Sequence, residues 1–184
     1  MNVVSTALPE VLVIEPKLHG DQRGFFVEAF HARRYADHGI GRPFVQDNMS
    51  RSRRGVLRGL HLQLAAPQGK LVSVVSGKVL DVAVDVRVGS PNFGRHVAIE
   101  LDAEARKQLW VPRGFAHGFL VLSESADVFY KCDDYYDPAS DIAIRWDDPS
   151  IGIHWGTSDP ALSARDAAAP LLAEVASLPR YGQV

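Results

Sequence analysis

The chain has 184 residues, 46% of them apolar and 23% charged, with a formal net charge of −2. That balance suits one globular domain with a sizeable core, and the lack of a basic excess argues against nucleic acid as a partner. The single cysteine, Cys132, excludes an internal disulfide framework and any multi-cysteine metal site. No charged-then-apolar leader opens the sequence and no run of about 18 apolar residues occurs, so a cytoplasmic protein without membrane contact is expected.

Residues 8 to 19 read as an extended arm with prolines at its edges. The stretch 21–28, Asp-Gln-Arg-Gly-Phe-Phe-Val-Glu, is a polar turn running into an aromatic strand. Phe25 and Phe26 point to opposite faces of such a strand. One could enter the core while the other meets a partner subunit or a flat ligand, or both could pack between layers. Phe30 to His38 suits a short helix stopped at Gly39, and Pro43 restarts an extended segment through Ser50.

Next comes Gly55-Val56-Leu57-Arg58-Gly59-Leu60-His61-Leu62-Gln63, an apolar strand with a histidine in it. Arg51, Arg53, Arg54 and Arg58 lead into it, a local cluster better matched to a small anion than to a polymer. Beyond Lys70 strand follows strand. Leu80, Val82, Val84, Val86 and Val88 alternate with Asp81, Ala83, Asp85 and Arg87, the period-two signature of one apolar face. Residues 89–94 are turn chemistry. Further short strands are expected at 96–101, 108–111, 118–122, 126–132 and 141–146. Residues 163–178 are alanine-rich but interrupted by Pro170, so at most a short helical tail is expected. Many short strands with little helix make an all-β sandwich or jelly-roll barrel with short peripheral helices.

Three segments supply groups for chemistry. His61 is a candidate base, because imidazole titrates closest to working pH. Tyr130 can serve as a general acid if its phenol reaches a substrate. Asp166 can fix a histidine tautomer and stabilise the imidazolium. Each also has a plainer reading: an ordinary strand histidine, a half-buried tyrosine, and a cap for the tail helix formed by Asp166 or Ser163.

Gly55 with His61, and Pro112-x-Gly114-x-x-His117, resemble the two motifs of the cupin jelly roll. Metal-binding cupins carry a second histidine where this chain has Gln63, and then a glutamate where residues 65–68 offer no carboxylate. Two imidazoles and an amide make a poor ligand set, so no metal is expected and His61 is free to act as a base.

More specifically, the chain resembles the dTDP-4-dehydrorhamnose 3,5-epimerase family. The likeness runs through Asp21-x-Arg23-Gly24-Phe25-Phe26, Gln46-Asp47-Asn48, Gly55 to His61, Gly69-Lys70-Leu71-Val72 and Ser90-Pro91-x-Phe93-Gly94. It continues through Gln108 to Phe119, Tyr130-Lys131, Tyr135-Tyr136-x-Pro138, Trp146-x-Asp148-Pro149 and Leu162-Ser163-x-x-Asp166. The resemblance implies a single cupin-like domain over 1–184, with an N-terminal dimerisation arm and a short helical tail. It implies a cofactor-free epimerase of a dTDP-4-keto-6-deoxyhexose, with His61 as base, Asp166 orienting it, Tyr130 as acid and Lys70 steadying an enolate. Substrate contacts are implied at Arg23, Phe25, Glu28, Gln46, Asn48, Arg58, His117, Tyr136, Asp141 and Arg165. Arg23 and Glu28 would reach the neighbour's site in a homodimer.

The sequence departs from the family at Met49, where histidine is common, at Leu62 for an aromatic and at Asp141 for a glutamate. A regular strand would also point Arg58 and His61 to opposite faces, unless Gly59 hosts a bulge. Either Tyr130 or Tyr136 could lie nearer the sugar ring. A monoepimerase of a natural-product deoxysugar and a non-catalytic nucleotide-sugar binder are the alternatives to double epimerisation.

Overall fold

The structure, a computed structural model, describes residues 1–183. It is built from thirteen short strands, all paired antiparallel within the sheets. One sheet has six strands in the order β1 (Asn2–Ser5), β2 (Leu12–Glu15), β10 (Gln108–Val111), β7 (Lys70–Ser76), β12 (Ser125–Cys132) and β5 (Gln46–Arg53). The other has five: β13 (Asp141–Ala143), β6 (Leu57–Gln63), β11 (Phe115–Val121), β8 (Lys78–Asp85) and β9 (His96–Asp102). A separate hairpin joins β3 (Leu18–Asp21) to β4 (Gly24–Val27). The helices are short: α1 (Ala32–Ala36), α2 (Ala164–Ala167) and a 3-10 turn at Leu172–Glu174. The expected sandwich-like, nearly all-sheet architecture is what the chain adopts.

Three buried clusters explain the layering. Between the sheets, Val72, Val74, Leu109 and Val128 meet Val79, Ala83, Val97, Phe115 and Phe119. Outside the five-stranded sheet, Leu60, Val82, Val84 and Leu120 are covered by Ile144, Ile151, Trp155 and Leu172. Outside the six-stranded sheet, Ile14, Leu71 and Trp110 pack with Tyr35 and Ile40 around α1. β8 is therefore buried on both faces. The valines of its alternation face the C-terminal segments, while Asp81 and Asp85 on the opposite face are fully buried.

Several boundaries differ from the sequence reading. β1 was not anticipated, β8 stops at Asp85 rather than Val88, and β11 starts at Phe115, so His117 lies inside a strand. β13 ends at Ala143 rather than Trp146. Ile144 still exchanges backbone bonds with Leu60, and then Arg145 turns to Pro170. The expected helix shrinks to α1, with Gly39 at φ 85 just beyond its end. The helical tail is reduced to α2 and the 3-10 turn, separated by Pro170.

Candidate active site

Cross-strand register brings the site together. His61 on β6 stands opposite His117 on β11, and both belong to the five-stranded sheet. From the six-stranded sheet, Lys70 on β7 pairs with Cys132, and Tyr130 on β12 pairs with Asn48 of β5. Paired residues share a face. Two adjoining cavities, of about 430 and 290 Å³, are both lined by His61, Lys70 and Tyr130. The larger adds Ser50, Arg58, His117, Phe119, Arg165 and Asp166. The smaller adds Gln46, Asn48, Tyr136 and Asp141.

Arg58 reaches this space because β6 carries one extra residue. The register steps two residues along β11, from His117 to Phe119, but three along β6, from His61 to Arg58. That is a bulge at Gly59-Leu60, where Gly59 takes φ 118. The peptide between the two is cis. The parity conflict in the sequence is thereby resolved, and Arg58 and His61 line the same cavity.

His61 Nε2 lies 2.6 Å from Asp166 Oδ1. Burial would push the Asp166 carboxyl up, but the bond to His61, backed by Ser163 and the Gly59 backbone, holds it below the usual carboxylate range. An ionised carboxylate only accepts, so Nε2 carries the proton and Nδ1 is the bare nitrogen able to take one. Ser163 caps α2 by accepting from the Asp166 N–H, so the capping and the histidine-orienting readings of this segment both hold. His117 is held in parallel, with Nε2 2.9 Å from Oδ1 of the fully buried Asp81.

Burial pulls the Lys70 ammonium below the ordinary lysine range, against the opposing pull of Cys132, Asp141 and Asp81. Burial raises the Tyr130 phenol above its ordinary value, and it raises the Cys132 thiol to about 11, so both stay protonated at neutral pH. Tyr130 stands where the cavities meet, whereas Tyr136 lines only the smaller one and gives its hydroxyl to Asp141 at 3.0 Å. Arg165 donates to the same Asp141 oxygen at 2.7 Å. The hydrogen bond from Tyr136 ties it to the rim and raises its phenol.

Not every anticipated residue is here. Arg23, Phe25 and Glu28 sit on or just after the β3–β4 hairpin and line neither cavity. Arg23 pairs with Asp21 and Glu28 with Arg34, and Phe25 stacks under Arg106 at 4.0 Å. Met49 is on the outer face of β5, 70% exposed, so its departure from histidine falls outside both cavities. Gln63 is consumed structurally: its amide donates to the carbonyls of Ala66 and Tyr135 and accepts from Asp137 N–H. Among the described residues no cluster of three or more His, Cys, Asp or Glu has a metal-ligating arrangement.

Two contacts were missed in the sequence. Asp81 anchors His117, and Ser52 accepts from Arg58 Nε at 3.0 Å. A signal for the second existed, since Gln46, Asn48, Ser50 and Ser52 alternate as a wholly polar inner face of β5.

Comparison with known proteins points the same way. Residues 5–174 match the family model described as dTDP-4-dehydrorhamnose 3,5-epimerase. The enzyme of that name from Salmonella typhimurium is 53% identical over 176 residues, covering 94% of this chain and 96% of that one. The dTDP-6-deoxy-D-glucose-3,5-epimerase of Legionella pneumophila, solved with dTDP-4-keto-L-rhamnose, superposes with a TM-score of 0.96 at 53% identity, covering 98% of each chain. A 3'-monoepimerase from Streptomyces bikiniensis, solved with dTDP-quinovose, is more distant, at 36% identity and a TM-score of 0.89 over 96% of this chain and 92% of that one.

Proposed function

The chain belongs to the dTDP-4-dehydrorhamnose 3,5-epimerase family, and from that membership we infer that it converts dTDP-4-dehydro-6-deoxy-D-glucose to dTDP-4-dehydro-L-rhamnose by inverting C3 and C5. Both carbons flank the C4 ketone, so loss of either proton gives an enolate with charge on one shared oxygen. Inversion then needs a base on one face of the ring and an acid on the other.

The observation that carries this reading is the placement of those groups on opposed sheets. His61 comes from the five-stranded sheet, with Tyr130 and Lys70 from the six-stranded one. His61 Nδ1 takes the carbon-bound proton while Asp166 holds the imidazolium that forms. The neutral Tyr130 phenol returns a proton from the other side. Lys70 sits at the C4 oxygen, where a preset cation in a dry site lowers the barrier by several kcal/mol. Each transfer needs only groups of the chain and substrate. Arg58 takes the diphosphate, with Gln46, Asn48, His117, Tyr136, Asp141 and Arg165 as the remaining contacts. The active form is a homodimer in which the β3–β4 hairpin, with Arg23, Phe25 and Glu28, completes the neighbour's site.

The test is NMR of the keto-sugar nucleotide in deuterium oxide, which reports exchange at C3 and C5 separately. Wild-type enzyme exchanges both positions. His61→Ala should abolish exchange at both, since no proton leaves without the base. Tyr130→Phe should keep exchange but lose inverted product by about 10²–10⁴ in rate. Exchange at one carbon only would replace double epimerisation by monoepimerisation, and normal inversion in Tyr130→Phe would move the acid elsewhere.

A further inference from the structure

Ser50 is a polar group whose protein partner is missing. It lies on β5, where the even residues Gln46, Asn48, Ser50 and Ser52 face inward and the odd ones are exposed. An inner face without one apolar side chain is unusual for a strand in a sandwich, where that face normally packs into the core. Three of the four are accounted for. Gln46 donates to Asn48 at 3.1 Å, Asn48 donates to the Cys132 sulfur at 3.6 Å, and Ser52 accepts from Arg58 Nε at 3.0 Å. The Ser50 hydroxyl oxygen is buried without a hydrogen-bond partner among the described residues, while the residue lines the larger cavity.

Its surroundings specify what would satisfy it. Arg58 and Ser50 line the same cavity, and Arg58 makes no ion pair among the described residues, whereas the other cavity arginine, Arg165, is paired to Asp141. Ser52 occupies Arg58 Nε, and the two terminal nitrogens of the guanidinium fork have no hydrogen-bond partner among the described residues. Ser50 sits one same-face step from that anchor, about 7 Å along the strand. A serine hydroxyl beside an uncompensated arginine is a donor pair for an anionic oxygen.

We propose that Ser50 donates its hydroxyl to a diphosphate oxygen of the sugar nucleotide, beside Arg58. This rests on the functional reading above, and it adds one contact to the diphosphate seat. It also explains why an unpaired hydroxyl is kept in a buried position: its bond forms only when the nucleotide is bound.

Calorimetry of Ser50→Ala against dTDP, with thymidine measured in competition, tests it alongside a thermal melt. The variant should bind dTDP about ten- to a hundredfold more weakly, the size of a hydrogen bond to a charged group. Its affinity for thymidine, which lacks phosphate, should be unchanged. Its melting temperature should be equal or higher, since removing an unpaired buried hydroxyl costs the fold nothing. Unchanged dTDP affinity, or parallel weakening of dTDP and thymidine, would overturn the proposal. So would a clearly destabilised or unfolded variant, which would make the hydroxyl structural. Failure of wild-type protein to bind dTDP would instead fell the functional reading itself, a result separable from equal affinity of the two proteins.

Discussion

At Lys70, burial lowers the pKa more than its neighbours raise it. No carboxylate lies within ion-pair distance of it among the described residues, and desolvation lowers its pKa against the pull of Cys132, Asp141 and Asp81. An ammonium held this way is costly to bury, and in the proposed reaction it is most useful when an enolate develops beside it. The sign follows directly: a depressed pKa means the cation is lost at lower pH than in free lysine. The alkaline limb of kcat/KM should therefore fall below the ordinary lysine value of 10.5. Lys70→Arg carries a charge that does not titrate in this range, so its residual activity should lack that limb. A limb at unchanged pH in Lys70→Arg would assign it to another group. That His61, Lys70, Tyr130 and Asp166 would come together was legible in the sequence, because each stands in a motif of the family resemblance, and the four line one cavity. Asp81 and Ser52 were not, because their importance depends on which strand they face. No local pattern announces that Asp81 reaches His117 from the neighbouring strand β8, 36 residues away in sequence.

Among the elements, β6 and β11 show how backbone geometry decides what the side chains can do. The bulge re-aims Arg58, and it depends on glycines in close approach. A Cβ on Gly59 would meet Gly118 Cα at 2.6 Å and His117 O at 2.7 Å, and Gly59 also has φ 118. Gly59→Ala should therefore lower the melting temperature by about 5 °C or more, from backbone strain and steric clash together. It should also weaken dTDP binding through Arg58. Gly24→Ala is the control: its φ of 125 is just as unfavourable, but nothing lies within 4 Å of the added carbon. Equal losses in the two variants would mean that the approach of β6 to β11 carries no cost of its own. The sequence hinted at this bulge through the parity conflict and a glycine between Arg58 and His61, yet only the register shows where the extra residue sits. β8 makes the complementary point. Its alternation identified a strand correctly, but could not reveal that both faces are buried, because the layer covering the valines comes from residues 144–172, far along the chain.

For the whole molecule, the hairpin residues pose the remaining problem. Arg23 is 85% exposed and, among the described residues, held only by Asp21, and Phe25 and Phe26 are 54% and 69% exposed. Exposed aromatics next to an exposed arginine suit contact with another surface better than with water. Beside them, Val27, Phe30, Leu71, Val75 and Phe129 line a largely apolar groove of about 330 Å³ on the outer side of the six-stranded sheet. These features motivate the dimer, and complementation can decide whether the hairpin acts in trans. A site that combines His61 of one protomer with Arg23 of its partner is broken in both homodimers, Arg23→Ala and His61→Ala. In a mixed dimer, the Arg23→Ala protomer supplies an intact His61 and receives an intact Arg23 from the His61→Ala protomer, so one of the two sites is whole. Random pairing of equal amounts puts half the dimers in the mixed state, and activity should recover to about a quarter of wild type. If Arg23 served its own chain, each protomer would keep its single defect and mixing would yield only the average of the two weak variants. Coexpression with two affinity tags, followed by the epimerisation assay on doubly purified protein, separates the two outcomes. Doubly tagged dimers should show about half the wild-type rate if the hairpin crosses over. A rate no higher than that of Arg23→Ala alone would leave the hairpin outside the neighbour's site.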